Sequence, residues 1–266
     1  MRVLFVADIF GSAGKRVLSA VLPALRKEYG VDLCVANGEN IAGGRGITKN
    51  LIGKLRRFGV DVITSGNHIW DNKDGQECLE SEPYLLRPLN YPSGNPGKGS
   101  AVFHLQDGRT AAVLNLQGRT FMYHIECPFR TGLIEINKLK TQTDIIFVDI
   151  HAEATSEKIA LAHYFDGKVS AVIGTHTHVQ TADERILPGG TGYLTDAGMT
   201  GPHYSVIGMK KEAVIRKFLY EIPVRFEPSE EDIQFNGVLV DVDDATGKAV
   251  KIERVIRKYE GGGEED

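Results

Sequence analysis

The sequence predicts an α/β fold with two β-sheets in a single domain. Over the first two thirds of the chain, short apolar runs of strand length alternate with segments whose apolar residues recur at helical spacing. Two pairs of strand-like runs, joined by the turns 107–109 and 243–248, indicate hairpins. We see no internal repeat and no clear linker, so we predict one domain over residues 1–260 and a solvated tail at 261–266.

Each element has its own local signal. Val17, Leu18 and Val21 share one face of the first helix, although Pro23 lies inside it. Thr48 is a predicted N-cap, with Gly59 as the matching stop. The predicted helices cover residues 14–29, 49–58, 72–81, 129–139, 156–165 and 210–219. The predicted strands cover residues 3–7, 33–37, 60–65, 101–106, 110–116, 144–150, 171–174, 234–242 and 249–256.

Composition excludes several classes of protein. The chain has 266 residues, of which 42% are hydrophobic and 25% charged, so it is neither disordered nor a disulfide-rich miniprotein. Its 31 basic and 35 acidic residues give a net charge of −4, which argues against a non-specific nucleic-acid coat. Three cysteines without a C-x-x-C pair indicate a reducing compartment, and we expect a cytoplasmic protein. No apolar run approaches the roughly 18 residues of a membrane span, and Asp8 comes too early for a signal peptide.

Polar side chains follow five of the predicted strands. They are Asp8, Glu39 with Asn40, Asn67 with His68, His151, and His176 with His178. Ligand sites of open α/β sheets lie beyond the carboxyl ends of the strands, so these residues are predicted to share one site. Taken singly, Asp8 can be a helix cap, Glu39 and Asn40 a turn, and His151 structural. Five coincidences at equivalent places make those separate explanations poor.

The donor types indicate metal ions. Two carboxylates, two carboxamides and three imidazoles without thiolate suit first-row ions such as Mn, Fe, Co or Zn. The pair His176-x-His178 on extended backbone is predicted to bring two imidazoles to one centre. Seven donors exceed one tetrahedral ion, so we predict two metals about 3.5–4 Å apart, bridged by a carboxylate.

The arrangement resembles the calcineurin-like metallophosphoesterase superfamily, which is marked in order by D-x-H, G-D, G-N-H, a lone His and G-H-x-H. The corresponding segments here are Asp8-Ile9-Phe10, Gly38-Glu39-Asn40, Gly66-Asn67-His68, His151 and Gly174-Thr175-His176-Thr177-His178. Phe10 stands where the usual His binds metal, Glu39 stands for the bridging Asp, and one residue is added after Gly174. With the segments NGENIAGGRGIT and TDAGMTGP, these departures are similar to the bacterial YmdB-type branch of 2′,3′-cyclic nucleotide phosphodiesterases.

The resemblance implies a four-layer αββα sandwich of two mixed sheets flanked by helices. It implies that the first metal is held by Asp8, Glu39, Asn40 and His178, and the second by Glu39, Asn67, His151 and His176. Asn40 then replaces the imidazole missing at Phe10, and Glu39 bridges the ions. Iron is the favoured metal, with manganese and zinc as alternatives. His68 occupies the family's proton-donor position.

These residues predict a dinuclear phosphodiesterase that hydrolyses small phosphodiesters, with 2′,3′-cyclic nucleotides favoured. A hydroxide between the metals attacks phosphorus, and His68 protonates the leaving oxygen as general acid. The alternatives are a phosphomonoesterase, a nuclease, or a metal-binding regulatory or scaffold protein. RNA is a less favoured substrate, and a homo-oligomer is left open.

For three residues near the predicted site, the sequence allows both a functional and a structural interpretation. Arg45, in a glycine-rich loop, either meets a phosphate or base or belongs to an ordinary turn. Asp71 either orients His68 or caps the following helix. Trp70 either lines the pocket of the predicted site or belongs to the hydrophobic core.

Overall fold

The computed structural model describes residues 1–261, so residues 262–266 of the predicted tail lie outside the described part. Its helices are α1 (Gly11–Tyr29), α2 (Lys49–Phe58), α3 (Lys73–Ser81), α4 (Pro128–Leu139), α5 (Thr155–Phe165) and α6 (Lys211–Tyr220). Its strands are β1 (Arg2–Val6), β2 (Asp8–Ile9), β3 (Leu33–Asn37), β4 (Val62–Thr64), β5 (Ser100–His104), β6 (Thr110–Gln117), β7 (Ile146–His151), β8 (Ala171–Thr175), β9 (Arg185–Ile186), β10 (Gly192–Leu194), β11 (Met199–Pro202), β12 (Ile233–Val242) and β13 (Ala249–Lys258).

The strands form two mixed sheets, as predicted. The first has the order β2-β11-β12-β1-β3-β4, with β13 paired to β12. Strands β1, β3 and β4 are parallel to one another, whereas β12 is antiparallel to β1. The second sheet has the order β5-β6-β7-β8-β10-β9, and its strands β6, β7 and β8 are parallel. The carboxyl ends of both parallel groups carry the predicted site.

Three apolar clusters define four layers. Phe5 and Val35 of the first sheet pack with Val113 and Phe147 of the second, so the two sheets face each other. The outer face of the first sheet is covered by α1, α2 and α3, and that of the second by α4 and α5. The predicted αββα sandwich is therefore confirmed, while the assignment of residues 1–260 to a single domain stays a prediction.

Several boundaries follow from residues identified in the sequence. The Thr48 hydroxyl accepts a hydrogen bond from the Leu51 amide and caps α2, and Gly59 ends that helix with a left-handed φ of 105°. Pro23 lies inside α1 without ending it. The start of α1 was predicted three residues late, because Phe10 alone separates strand β2 from Gly11, the first residue of the helix.

The first strand was predicted over residues 3–7, but it ends one residue earlier, and Asp8 was not predicted to lie in a strand of its own. Strand β1 ends at Val6, and Asp8 begins the separate strand β2, which pairs with Met199 of β11. The strands β9, β10 and β11 were also missed, because runs of two to four residues carry too little alternation to be recognised. Over residues 1–261, no helix has the length and apolar character needed to cross a membrane.

Candidate metal centre

The predicted site residues lie together at the carboxyl edges of the two sheets. Asp8 follows β1, Glu39 and Asn40 follow β3, and Asn67 opens a 3₁₀ turn (Asn67–Trp70) after β4. From the second sheet, His151 ends β7, and His176 and His178 follow β8. Parallel strands deliver their ends to one edge, which is why residues up to 170 positions apart in sequence meet here.

One group of donors surrounds the amide of Asn40. The amide nitrogen lies 3.3 Å from Oδ1 of Asp8 and 3.1 Å from Nε2 of His178. It also lies 3.4 Å from Oε1 of Glu39. Rotating the carboxamide by half a turn presents its oxygen to the same point, which would complete a set of oxygen and nitrogen donors.

A second group surrounds Nε2 of His151. This nitrogen lies 2.9 Å from Oε1 of Glu39 and 3.1 Å from Oδ1 of Asn67. It lies 3.0 Å from Nδ1 of His176. Oε1 of Glu39 therefore contacts both groups, as a bridging carboxylate oxygen would.

Burial and neighbouring charges shift the pKa values of the ionisable side chains at this site. Burial raises the pKa of Asp8 well above its usual range. Burial also opposes ionisation of Glu39, but the charge of His151 and its hydrogen bond outweigh this and lower the Glu39 pKa to about 2. Burial, followed by the charge of His151, lowers the pKa of His176 to about 3, which favours a neutral imidazole. A neutral imidazole is the form that binds metal.

The imidazoles of His176 and His178 are each held by a second partner. Nδ1 of His178 donates to the carbonyl of Ile207 at 2.9 Å, and Nε2 of His176 lies 3.1 Å from Oε2 of Glu153. Such bonds fix which ring nitrogen carries the proton, so the opposite nitrogen is free to bind a metal.

His151 is oriented through a buried relay. The Thr175 hydroxyl donates to Oδ1 of Asp149 at 2.7 Å, so its oxygen accepts from Nδ1–H of His151 at 2.9 Å. Burial raises the pKa of Asp149 to about 6. Sequence reasoning missed Asp149, although a carboxylate two residues before His151 in an apolar strand was a usable signal.

The loop that carries His176 and His178 has a strained backbone and is held in place by hydrogen bonds to Asp196. Both residues have positive φ, 102° and 63°, so the predicted extended backbone is wrong, and the two imidazoles lie in different donor groups. Oδ2 of Asp196 accepts hydrogen bonds from the Thr177 amide at 3.1 Å and hydroxyl at 2.8 Å. The fully buried Lys158 of α5 pairs with the same oxygen at 2.7 Å, so an ion pair supports the loop.

The residues present fit metal ions. The donors are carboxylate, carboxamide and imidazole groups, and ligand atoms of Glu39, His151 and His176 all lie within 4.8 Å of one another. The imidazoles are oriented by outer partners, and within residues 1–261 the carboxylates of Asp8 and Glu39 have no lysine or arginine at ion-pair distance. The site can therefore bind divalent metal.

His68 lies at the rim of a cavity of about 530 Å³ that also exposes Glu39, Asn40 and His178. Its Nδ1 lies 2.8 Å from Oδ2 of Asp71, and its backbone N–H donates to Oε2 of Glu39 at 2.9 Å. The side chain of Asn72, not that of Asp71, caps α3. Of the two interpretations of Asp71, the structure favours contact with His68.

Three further residues surround this site. Phe10 is buried, and its ring meets the His178 ring edge-on at 5.6 Å, in the place of the absent imidazole. Arg45 lines the cavity. Trp70 packs against the apolar core of the first sheet and meets Tyr91 edge-on, so the core interpretation holds.

Gly66 is required by the second donor group. A Cβ atom at this position would lie 2.1 Å from Cδ2 and 2.2 Å from Nε2 of His151. No side chain therefore fits between Ser65 and Asn67 while His151 keeps its place.

Comparisons with known proteins agree with this geometry. A family model described as YmdB-like protein matches residues 4–255. The chain is 47% identical over 256 residues to a Bacillus subtilis protein named 2′,3′-cyclic-nucleotide 2′-phosphodiesterase, covering 96% of this chain and 97% of that protein.

Two solved structures are also similar. A hypothetical protein from Thermus thermophilus is 42% identical with a TM-score of 0.89, covering 97% of this chain and 99% of that one. A protein described as a novel phosphatase from Mycoplasma pneumoniae is 37% identical with a TM-score of 0.91, covering 97% and 93%. These matches confirm the predicted resemblance, the fold class and the assignment to enzymes that cleave phosphoesters.

Proposed function

Because the chain belongs to the YmdB-like protein family, we propose that it hydrolyses 2′,3′-cyclic nucleotides at a centre of two metal ions. The observation that carries this proposal is the convergence of seven donor side chains in two groups that share Glu39. Four of these donors, Glu39, Asn40, His176 and His178, line the same cavity as His68. The relative's printed name supports the choice of substrate.

The two donor groups supply the two metal sites. In this proposal the first ion is held by Asp8, Glu39, Asn40 and His178, and the second by Glu39, Asn67, His151 and His176. The contact of one Glu39 oxygen with both groups supports a bridging role. Iron is the proposed metal, following the family resemblance. Manganese and zinc are the alternatives, because they accept the same oxygen and imidazole ligands.

Two bound ions supply Lewis acidity, which activates water near neutral pH and neutralises charge on the phosphoryl oxygens. The remaining chemistry is assigned to the chain. Hydrolysis adds a water hydroxyl to phosphorus and breaks the bond from phosphorus to O2′, which must then gain a proton. His68 is the proposed donor, because it faces the cavity and its Nδ1 is held by Asp71. The single product is a nucleoside 3′-phosphate whose 2′-hydroxyl is free.

A panel of substrates tests the proposal. Metal-replete protein is incubated with adenosine 2′,3′-cyclic phosphate, with 4-nitrophenyl phosphate and with an RNA oligonucleotide, and the products are separated by chromatography. We expect the cyclic diester to open to the 3′-phosphate faster than either other substrate is cleaved. Exclusive turnover of the monoester would overturn the proposal in favour of a phosphomonoesterase, and preferred cleavage of RNA would favour a nuclease.

A further inference from the structure

One side of the cavity beside His68 is apolar. We call it the apolar wall, and it consists of Phe10, Val206, Met209, Val214, Phe218 and Phe226. Helix α6 supplies Val214 and Phe218, and the segments before and after this helix supply Met209 and Phe226. Metal chemistry on a phosphate does not require such a surface, so the wall calls for a different explanation.

Two of the three aromatic residues of the wall, Phe218 and Phe226, are exposed, whereas Phe10 is buried. Phe218 is 73% and Phe226 is 37% exposed, although both line a cavity that already contains polar and charged groups. Arg45 and Lys217 line the same cavity and place positive charge beside the aromatic rings. Aromatic rings and hydrogen-bond donors that line one cavity suit the face and the polar edge of a nucleobase.

A second aromatic surface lies in a different cavity that also reaches the donor side chains. Phe121, which is 90% exposed, and Tyr123 flank a cavity of about 370 Å³ that meets Asn67 and His176. This second cavity does not include His68. The two surfaces therefore compete as sites for an aromatic group.

The position of His68 decides between the two surfaces. In a cyclic nucleotide the leaving O2′ stays attached to the ribose that also carries the base. If His68 protonates O2′, that ribose lies in the cavity of His68, and the base lies within one sugar of it. The apolar wall shares this cavity, whereas Phe121 does not.

We propose that the apolar wall binds the nucleobase of the substrate, which stacks against Phe218 and Phe226. This inference rests on the proposed function and deepens it, because it assigns recognition of the base to residues outside the metal centre. The wall carries only apolar side chains, so it accepts different bases and favours diesters that carry an aromatic group over those that have none.

The test compares two substrates that share the same cyclic phosphate. One is adenosine 2′,3′-cyclic phosphate, and the other is methyl riboside 2′,3′-cyclic phosphate, which has no base. In Phe218→Ala, and more so with Phe226→Ala added, kcat/KM for the adenosine substrate should fall by about 5- to 150-fold, the usual range for losing one base–aromatic stack. The fall should come through KM, because stacking is made equally in the ground state and the transition state. The base-free substrate should keep its kcat/KM.

Phe121→Ala is the matched control, because it also removes an exposed phenylalanine at the edge of the centre, and it should leave both substrates unchanged. A fall for the adenosine substrate in Phe121→Ala, but not in Phe218→Ala, would place the base in the other cavity and overturn the inference. Equal falls for both substrates in Phe218→Ala would also overturn it, since the wall would then act without regard to the base.

Two further measurements test base binding by the apolar wall independently of the proposed hydrolysis of cyclic nucleotides. If wild-type protein leaves the adenosine substrate intact, the proposed function fails, and binding of adenosine 3′-phosphate by calorimetry still tests the wall. A weaker Kd in Phe218→Ala supports base binding, and an unchanged Kd overturns it. Light scattering should give the same mass for wild type and variant, and a change would assign Phe218 to a contact between copies of the chain instead.

Discussion

Replacement of His68 by alanine is expected to lower turnover of adenosine 2′,3′-cyclic phosphate by about 10²–10⁴-fold, the usual scale of general acid catalysis. The metals should remain bound, because the contact of residue 68 with Glu39 is made by the backbone N–H, which alanine retains. Steady-state kinetics, together with elemental analysis of the same samples, measures both effects. His163→Ala, which changes an exposed histidine of α5, is the control and should leave turnover unchanged.

The leaving group separates proton donation from a structural effect. Bis(4-nitrophenyl) phosphate releases nitrophenolate, which needs no proton to depart, whereas the ribose O2′ leaves as a strongly basic alkoxide unless it is protonated. His68→Ala should therefore affect the nitrophenyl diester much less than the cyclic nucleotide. Equal losses for both diesters would show that His68 does not act as the acid.

Replacement of Lys158 by methionine is expected to reduce the free energy of unfolding by about 3–5 kcal/mol, the usual cost of leaving a buried charge without its partner. Lys158 and Asp196 are both buried, and methionine keeps most of the side-chain volume while removing the charge. Asp196 also holds Thr177 between two proposed metal ligands, so turnover should fall as well. Urea unfolding monitored by circular dichroism measures the change in stability.

Lys138→Met is the matched control for this experiment. Lys138 pairs with Glu135 on α4, but its side chain is 67% exposed, and exposed pairs contribute only about 0–1 kcal/mol. We expect little change in the urea midpoint of this variant. A loss below about 1 kcal/mol in Lys158→Met would contradict the role given to the buried pair, because desolvation makes an unpaired buried carboxylate costly.

The positions of the proposed ligands could be predicted because they depend on a simple rule of the fold. Parallel strands of one sheet present their carboxyl ends at one edge, and here the edges of the two sheets coincide, so the polar residues at the ends of β3, β7 and β8 meet. The two ends of α2 could also be predicted from the sequence, since Thr48 and Gly59 cap the helix through backbone groups close to them in the chain. These features depend on short stretches of chain and on one general property of α/β sheets.

The supporting contacts could not be predicted because they depend on distant parts of the chain. The carbonyl of Ile207 fixes the ring of His178, and a carbonyl carries no signal in the sequence. Lys158 and Asp196 meet only once α5 has packed on the second sheet. His176 and His178 have positive φ angles in a loop that Asp196 holds through Thr177, and the alternating histidines alone predict extended backbone.

The metal content of the purified chain tests the central claim most directly. After anaerobic reconstitution with iron and removal of free ion, elemental analysis should find about two equivalents bound per chain, because the seven donors form two groups that share Glu39. One equivalent or less in the wild-type protein would contradict the two-metal centre and the mechanism that depends on it.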